Sequence, residues 1–182
     1  HKEYHETEFS KKGGIFEMVQ LWVNLPKKDK GVASHYQALT AAEMGKITLP
    51  DNAGSVNVIA GDANGTKGAA STYTDVNLFD IKLNKGGLFT TNVPSTHNTA
   101  LLMIKGSAVI NGENAPEHSF TLMKNEGEEI TIQAGEDTVI LLMSGEPIDE
   151  PIASYGPFVM NTQAEIYEAI EEFQNGKYGE LV

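Results

Sequence analysis

The residues best suited to chemistry stand at the start of the chain. His1 and Glu3 are two positions apart, so both side chains leave the same face if this segment is extended. Imidazole and carboxylate together suit iron, manganese or zinc, but a non-haem iron centre needs at least two histidines and a carboxylate. His5 continues the same parity. On its own the pattern predicts at most part of a metal site, and exposed polar side chains are the simpler interpretation.

An N-terminal histidine offers one alternative. Its free α-amine and imidazole can chelate a copper ion, provided that the mature chain begins at His1 and that folding brings a second histidine close. The opening His-Lys-Glu-Tyr-His lacks the features of a signal peptide, and the chain does not start with methionine. We therefore expect the functional unit to include residues upstream of His1.

The remaining candidates for chemistry are weaker. His35, His97 and His118 share no His-x-His or His-x-x-Glu-His spacing, so each is expected to be exposed or hydrogen-bonded. The sequence has no Gly-x-Ser-x-Gly nucleophile elbow, and its lack of cysteine excludes thiolate catalysis and cysteine-ligated metals. Residues 61–67 contain glycine, lysine and threonine in an order unlike that of a phosphate-binding loop, and they are interpreted as a turn.

Composition excludes several classes of protein. The 182 residues carry 13 basic and 25 acidic side chains, a net charge of −12. Direct binding to nucleic acid is not expected, because duplex binding needs clustered lysine and arginine. No apolar run approaches the ~20 residues that cross a bilayer, so no membrane partner is expected either. The lack of cysteine fits a reducing compartment, and a cytoplasmic location is expected.

Short strands separated by turns dominate the pattern along the chain. The strongest periodic signal covers residues 15–25, where both faces are apolar, which predicts a strand sandwiched within a sheet. Asn111-Gly112 predicts a two-residue hairpin turn. The pattern favours an antiparallel sandwich or barrel. Further strands are predicted at 46–49, 54–60, 76–83, 99–105, 107–111, 119–123, 128–133 and 137–143.

The C-terminal region predicts one helix, at about 163–175. Thr162 and Glu165 have the spacing of a capping box, in which each side chain satisfies a backbone amide of the other residue. Ile166, Ile170 and Phe173 follow at helical spacing and form the expected buried stripe. The sequence predicts that this helix docks on the β core.

Two stretches resemble the pirin family, and their order and spacing cover nearly the whole chain. The first stretch resembles the middle of that family, and the second resembles its C-terminal segment. The first contains His1-x-Glu3, Gly13-Gly14, Gln20-Leu21-Trp22-Val23-Asn24-Leu25-Pro26 and Tyr36-Gln37. The second contains Gly145-Glu146-Pro147, Glu150-Pro151 and Gly156-Pro157-Phe158-Val159-Met160-Asn161-Thr162.

Pirin-like proteins are bicupins, in which one chain forms two β-barrels that face each other. The resemblance implies an all-β fold, a cupin-type antiparallel barrel or sandwich with a C-terminal α-helix, of which this chain would be a bicupin remnant. Residues 1–26 would be the final strands of the N-terminal cupin barrel. Residues 27–150 would be the C-terminal cupin barrel, and residues 151–182 a C-terminal segment with the helix.

The resemblance also implies a metal site. In the family, the N-terminal barrel holds one metal, typically iron, through three histidines and a glutamate. His1 and Glu3 match the third and fourth ligands, and Glu3 is the implied catalytic residue. The first two ligands come from an upstream His-x-His that this sequence lacks. Iron or another divalent metal is therefore expected to be incompletely bound or absent in this chain alone. The implied partner is the upstream N-terminal cupin half, in the same protein or a second chain.

Two classes of function follow from the resemblance. Several bacterial members resemble quercetin 2,3-dioxygenases, which implies oxidation of a flavonol-like small molecule once the missing half is supplied. Other members resemble non-catalytic iron-binding proteins that regulate through protein partners. The dioxygenase is the primary expectation and the regulatory protein the alternative, so the assignment as an enzyme stays open. A stable β-barrel fragment without activity is a third interpretation.

Overall fold

The structure is a computed structural model that describes residues 5–179. These residues form two compact units, one of residues 5–31 and 149–179 and one of Val32–Ile148. The larger unit is built from short strands. They are β1 (Gly45–Thr48), β2 (Gly54–Ala60), β3 (Asp62–Ala63), β4 (Thr66–Lys67), β5 (Val76–Leu83), β6 (Leu88–Asn92), β7 (Asn98–Lys105), β8 (Ala108–Ile110), β9 (Glu113–Ala115), β10 (Phe120–Leu122), β11 (Glu129–Ala134) and β12 (Thr138–Gly145).

Two antiparallel sheets contain ten of the twelve strands of the larger unit. The first has six strands in the order β1-β2-β5-β12-β7-β10, and the second has four in the order β6-β11-β8-β9. Inward side chains from both sheets are buried in one hydrophobic cluster, which includes Phe79, Phe89, Met103, Ile132 and Ile140. The predicted antiparallel sandwich or barrel is therefore confirmed.

The alternation of apolar and polar side chains along the strands explains why the sheets form. In β5, Phe79 and Ile81 are fully buried, whereas Asp80 between them is partly exposed. In the neighbouring strand β12, Leu142 lies opposite Phe79, and Ile140 lies opposite Ile81. Both strands thus present matched apolar side chains to the interior, and a slip of one residue would turn them outward. This burial fixes the register of the central strands.

The predicted Asn-Gly hairpin is present between β8 and β9. Asn111 and Gly112 have φ angles of 47° and 87°, the positive values that such a turn requires. The Asn111 side chain also donates to the Glu129 carbonyl at 3.1 Å and accepts from the Thr131 N–H at 2.7 Å. The turn is therefore tied to the neighbouring strand β11.

The sequence predicts eight of the twelve strands of the larger unit to within two residues and misses β3, β4, β6 and β9. The predicted strands at 54–60 and 76–83 coincide with β2 and β5. The sequence does not predict β6, whose inward positions are Phe89 and Thr91. A threonine at a buried position weakens the apolar alternation on which the prediction depends.

The smaller unit contains α1 (Thr7–Lys12), the antiparallel pair β13 (Ala153–Tyr155) and β14 (Phe158–Met160), and α2 (Gln163–Gln174). The predicted C-terminal helix is therefore confirmed. Its buried positions are Ile166, as expected, and Ala169. Phe173, expected on the buried stripe, is instead 63% exposed. Its ring lies edge-on to Phe158, with the ring centroids 6.2 Å apart.

The strand predicted over residues 15–25 is not formed. Residues 13–26 have no regular secondary structure, and Phe16, Trp22 and Val23 are each more than half exposed. A strand needs a hydrogen-bonded neighbour, and within residues 5–179 no strand pairs with this segment. The segment has the apolar pattern of a strand, but a pattern alone supplies no partner.

No helix within residues 5–179 is long and apolar enough to span a bilayer. The two compact units divide near residues 31 and 149. The assignment of residues 1–26, 27–150 and 151–182 to parts of two cupin barrels stays a prediction.

Candidate functional site

The predicted metal ligands His1 and Glu3 lie outside the described residues. Their assignment, and that of Glu3 as the catalytic residue, therefore stays a prediction. His5, which would lie on the same face of an extended segment as His1 and Glu3, is within the described residues and is exposed. Its ring centroid lies 5.5 Å from that of Phe16, so it contacts an apolar ring.

The other histidines are dispersed through the larger unit. His35 contacts Tyr73, with ring centroids 6.3 Å apart. His118 is exposed, and its Nε2 lies 3.9 Å from a carboxylate oxygen of Glu117. His97 is buried. Within residues 5–179, no group of three or more His, Asp or Glu side chains is placed to hold a metal ion.

The described residues therefore do not fit a metal centre by themselves. Of the four ligands that the resemblance implies, the sequence offers one imidazole and one carboxylate, from His1 and Glu3. Two ligands leave most of the coordination sphere of a non-haem iron to be filled by other groups.

A small polar pocket lies where the segment between β6 and β7 meets the segment between β10 and β11. His97 in its wall is 6% exposed, and its Nδ1 lies 3.0 Å from the Ser144 Oγ. Thr99 Oγ1 donates to the same Ser144 Oγ at 3.1 Å. The antiparallel pairing of β7 with β12 places Thr99 opposite Ser144 and so brings the two hydroxyls together.

The geometry of this pocket favours a structural role. Its volume is about 20 Å³, which is room for about one water molecule. Pockets that bind organic ligands are typically about 300–1,000 Å³. Ser144 is paired with a histidine as a nucleophile would be, but it is 3% exposed. We interpret His97, Thr99 and Ser144 as a buried hydrogen-bonded group.

For His97 the sequence leaves two alternatives, exposed or hydrogen-bonded, and the second is correct. Its burial is not predicted, because His97 follows Pro94 in a stretch that contains mostly polar residues. Ser144 belongs to no recognisable motif. Its position at the inward register of β12 is the signal that could have identified it.

A second polar group fixes the start of α2 in the smaller unit. Lys27 Nζ lies 3.0 Å from Glu165 Oε1, while Glu165 Oε2 accepts the Asn161 and Thr162 N–H groups at 3.0 and 2.8 Å. The Lys27 ammonium and these donors hold the pKa of Glu165 below its ordinary value of 4.5. The Asn161 side chain donates to Glu150 at 2.9 Å. The Glu165 carboxylate that caps α2 therefore also holds Lys27 and its neighbours through the ion pair.

Comparisons with known proteins agree with this architecture. The family described as the Pirin C-terminal cupin domain matches residues 78–179. A crystal structure of quercetin 2,3-dioxygenase from Acinetobacter baumannii superposes with a TM-score of 0.90 and is 43% identical, covering 96% of this chain and 61% of that one. The chain thus has the cupin fold, as predicted. It belongs to the pirin family.

Two curated relatives show how much of a family member the chain represents. A Pseudomonas aeruginosa protein, provisionally named as a quercetin 2,3-dioxygenase, is 39% identical over 98% of this chain and 62% of its own length. Mouse pirin is 34% identical over 88% of this chain and 57% of its own length. The chain therefore spans roughly three-fifths of the curated relatives it matches.

Proposed function

We propose that this chain is part of a quercetin 2,3-dioxygenase-type enzyme and acts on a flavonol when an N-terminal cupin half is supplied. That half would belong to the same protein or to a second chain. The similarity to the Acinetobacter baumannii quercetin 2,3-dioxygenase, at 43% identity and a TM-score of 0.90, carries this proposal. The coverage of 61% of that enzyme is the reason for invoking a second portion.

In this proposal the metal site is shared between the two portions. His1 and Glu3 would provide two ligands, and a His-x-His of the N-terminal half would provide the other two. Iron or another divalent metal bound there would supply Lewis-acid chemistry. The Glu3 carboxylate would accept the proton of the flavonol 3-hydroxyl, because a positioned carboxylate can act as a general base.

In this proposal the larger unit is a scaffold and does not itself hold the substrate. The pocket beside His97 has a volume of about 20 Å³, far too small for a three-ring flavonol. Its polar side chains are also occupied with one another, since Ser144 contacts both His97 and Thr99. The substrate would accordingly bind outside this pocket.

A non-catalytic iron-binding regulator is the second candidate. It is favoured by exposed apolar side chains in the larger unit, since Phe120 is 62% and Leu122 is 72% exposed. The two side chains lie on the same face of β10, and contiguous exposed apolar patches mark surfaces that bind other proteins. In this candidate function the same metal ligands are used, but no substrate is turned over. The cytoplasmic location expected from the sequence stays a prediction for both candidates.

Flavonol turnover distinguishes the two. The test uses the present chain fused to the N-terminal portion of the Acinetobacter baumannii enzyme that it does not match, loaded with Fe(II) in air. We expect the visible absorbance of quercetin to fall, because ring opening destroys the conjugated chromophore. The chain alone should leave quercetin unchanged. A folded fusion that retains its metal but does not consume quercetin would contradict the dioxygenase and favour the regulator.

A further inference from the structure

Strand β10 leaves the N–H and C=O groups of two residues unpaired at the edge of the six-stranded sheet. The Met123 N–H donates to the Thr99 carbonyl, and the Met103 N–H donates to the Ser119 carbonyl, both at 2.9 Å. Antiparallel strands bond through alternate residues, so the N–H and C=O groups of Phe120 and Leu122 point away from β7. Within residues 5–179, β10 is the last strand on that side of the sheet. The free edge therefore presents donors and acceptors to an incoming strand.

The same two residues also present apolar side chains. Phe120 pairs with Leu102, and Leu122 pairs with Ala100, both on β7. Leu102 pairs in turn with Leu141 on β12. Phe120 and Leu122 thus end two apolar rows on the outer face of β10, β7 and β12, one through Leu102 to Leu141 and one through Ala100 to Met143. A strand added at this edge would extend both rows, and such cross-strand pairs stabilise a sheet.

The sequence on either side of β10 is strongly acidic. Residues 113–129 contain five glutamates and one lysine, a net charge of −4 with His118 neutral. These glutamates precede and follow β10 in the sequence, and all five are exposed, at positions 113, 117, 126, 128 and 129. The strand itself carries no lysine, which is the residue that commonly protects exposed edges from pairing.

The negative charge around β10 determines which kind of partner would bind at this edge. A second copy of the chain would bring an equally acidic edge and a net charge of −12, so self-association here is opposed by like-charge repulsion. A positively charged segment would be attracted to the same flanks. An extended backbone would use the free N–H and C=O groups, as in other cases of strand addition.

We propose that the edge of β10, at Phe120 and Leu122, is a docking site for an extended, basic peptide segment of a partner protein. The segment adds as an extra strand and places alternate apolar side chains beside Phe120 and Leu122. Its lysine or arginine residues lie against the flanking glutamates. This site is distinct from the proposed metal centre and does not depend on it.

A synthetic octapeptide tests this directly. The probe carries two lysines at each end and alternating valine and threonine between them, and its control replaces all four lysines with glutamate. We expect the lysine peptide to bind the chain at least about tenfold more tightly in fluorescence anisotropy. Its affinity should fall as ionic strength rises from about 0.01 M to about 0.15 M. Hydrogen exchange should slow at the Phe120 and Leu122 amides when the lysine peptide is present.

Two variants locate the site. Leu122→Pro removes an outward N–H but no hydrogen bond to β7, and proline is tolerated at such edge positions. Leu122→Ser keeps the N–H and removes the apolar side chain. Each should weaken binding of the lysine peptide, the serine variant by up to about fivefold. Leu88→Ser is the matched control, because Leu88 is 52% exposed on β6, the edge of the other sheet. It should leave binding unchanged.

Three outcomes would overturn the proposal. Equal binding of the lysine and glutamate peptides would show that the charges do not select the partner. Binding without protection of the Phe120 and Leu122 amides would place the peptide elsewhere. The fusion with the N-terminal cupin half provides the third, because protection of these amides in the fusion without peptide would show that the half covers the edge.

Discussion

Ser144 joins two buried polar side chains, and its hydroxyl accounts for the hydrogen bonds of both. Its Oγ lies 3.0 Å from His97 Nδ1 and 3.1 Å from Thr99 Oγ1. The Ser144→Ala substitution would leave both groups without this partner in the interior. We expect the free energy of unfolding, measured in urea, to fall by about 1–3 kcal/mol.

Ser107→Ala is the control for that substitution. Ser107 also donates a side-chain hydrogen bond, to Glu136 at 2.9 Å, but at the exposed surface. Water can replace this bond, so a change within about 0.5 kcal/mol is expected. If both serine variants lost the same stability, the buried group around Ser144 would have no special role.

The proposed metal ligands make a second prediction at the level of single residues. In the fusion with an N-terminal cupin half, His1→Ala or Glu3→Ala should reduce bound iron at least about tenfold, because each removes a ligand. His5→Ala is the matched control, since His5 is a nearby exposed histidine that is not a proposed ligand. Iron content measured by mass spectrometry checks all three. Full occupancy in the His1 and Glu3 variants would reject the ligand assignment.

Helix α2 depends on its N-terminal cap. The Thr162 hydroxyl accepts from the Glu165 N–H at 3.2 Å, which satisfies an amide that the helix cannot pair internally. Thr162→Ala is expected to lower the free energy of unfolding by about 1 kcal/mol. Gln163→Ala changes the next position without removing the cap and should have little effect. Equal urea midpoints for the wild type and the Thr162 variant would show that the cap contributes nothing.

Glu165 should make the same helix sensitive to acid. The Lys27 ammonium lowers its pKa in the folded chain below 4.5, so the native state favours the ionised carboxylate. This stabilisation is complete above the unfolded pKa and is lost as the pH falls through the lower, folded pKa. Helical circular dichroism should therefore decrease on acidification below pH 4.5.

Substitution of Glu165 tests whether this carboxylate causes the acid transition. Glu165→Gln cannot ionise, so its acid-induced loss of helical signal should be smaller than that of the wild type. Glu168→Gln changes an exposed carboxylate of the same helix and should retain the wild-type pH dependence. An unchanged acid transition in the Glu165 variant would assign the transition to other carboxylates.

The elements differ in how far local sequence determines them. The strand β5 and helix α2 are predictable because Phe79 and Ile81 alternate inward and because Thr162 and Glu165 form a cap. Residues 15–25 have an equally strong pattern but form no strand, since pairing depends on a neighbour that local sequence does not specify. The burial of Thr91 and His97 is not predictable, because a polar residue in a core is recognised only through its partners.

In the molecule as a whole, scaffold and proposed chemistry lie in different parts of the chain. The larger unit provides a well-packed cupin barrel, and the pocket of about 20 Å³ beside His97 is too small for an organic substrate. The candidate ligands His1 and Glu3 belong to a site that the proposal completes with a second cupin half. The chain covers 57–62% of the length of two curated relatives, which leaves room in a full-length protein for such a second half.

Native mass spectrometry can determine whether the metal centre is shared between two portions of protein. The chain would be weighed after exposure to Fe(II), alone and as the fusion with the N-terminal cupin half. We expect the chain alone, with a mass of 19.7 kDa, to retain no iron, whereas each fusion molecule should retain one iron. Stoichiometric iron on the chain alone, or none on the folded fusion, would show that the centre is not shared.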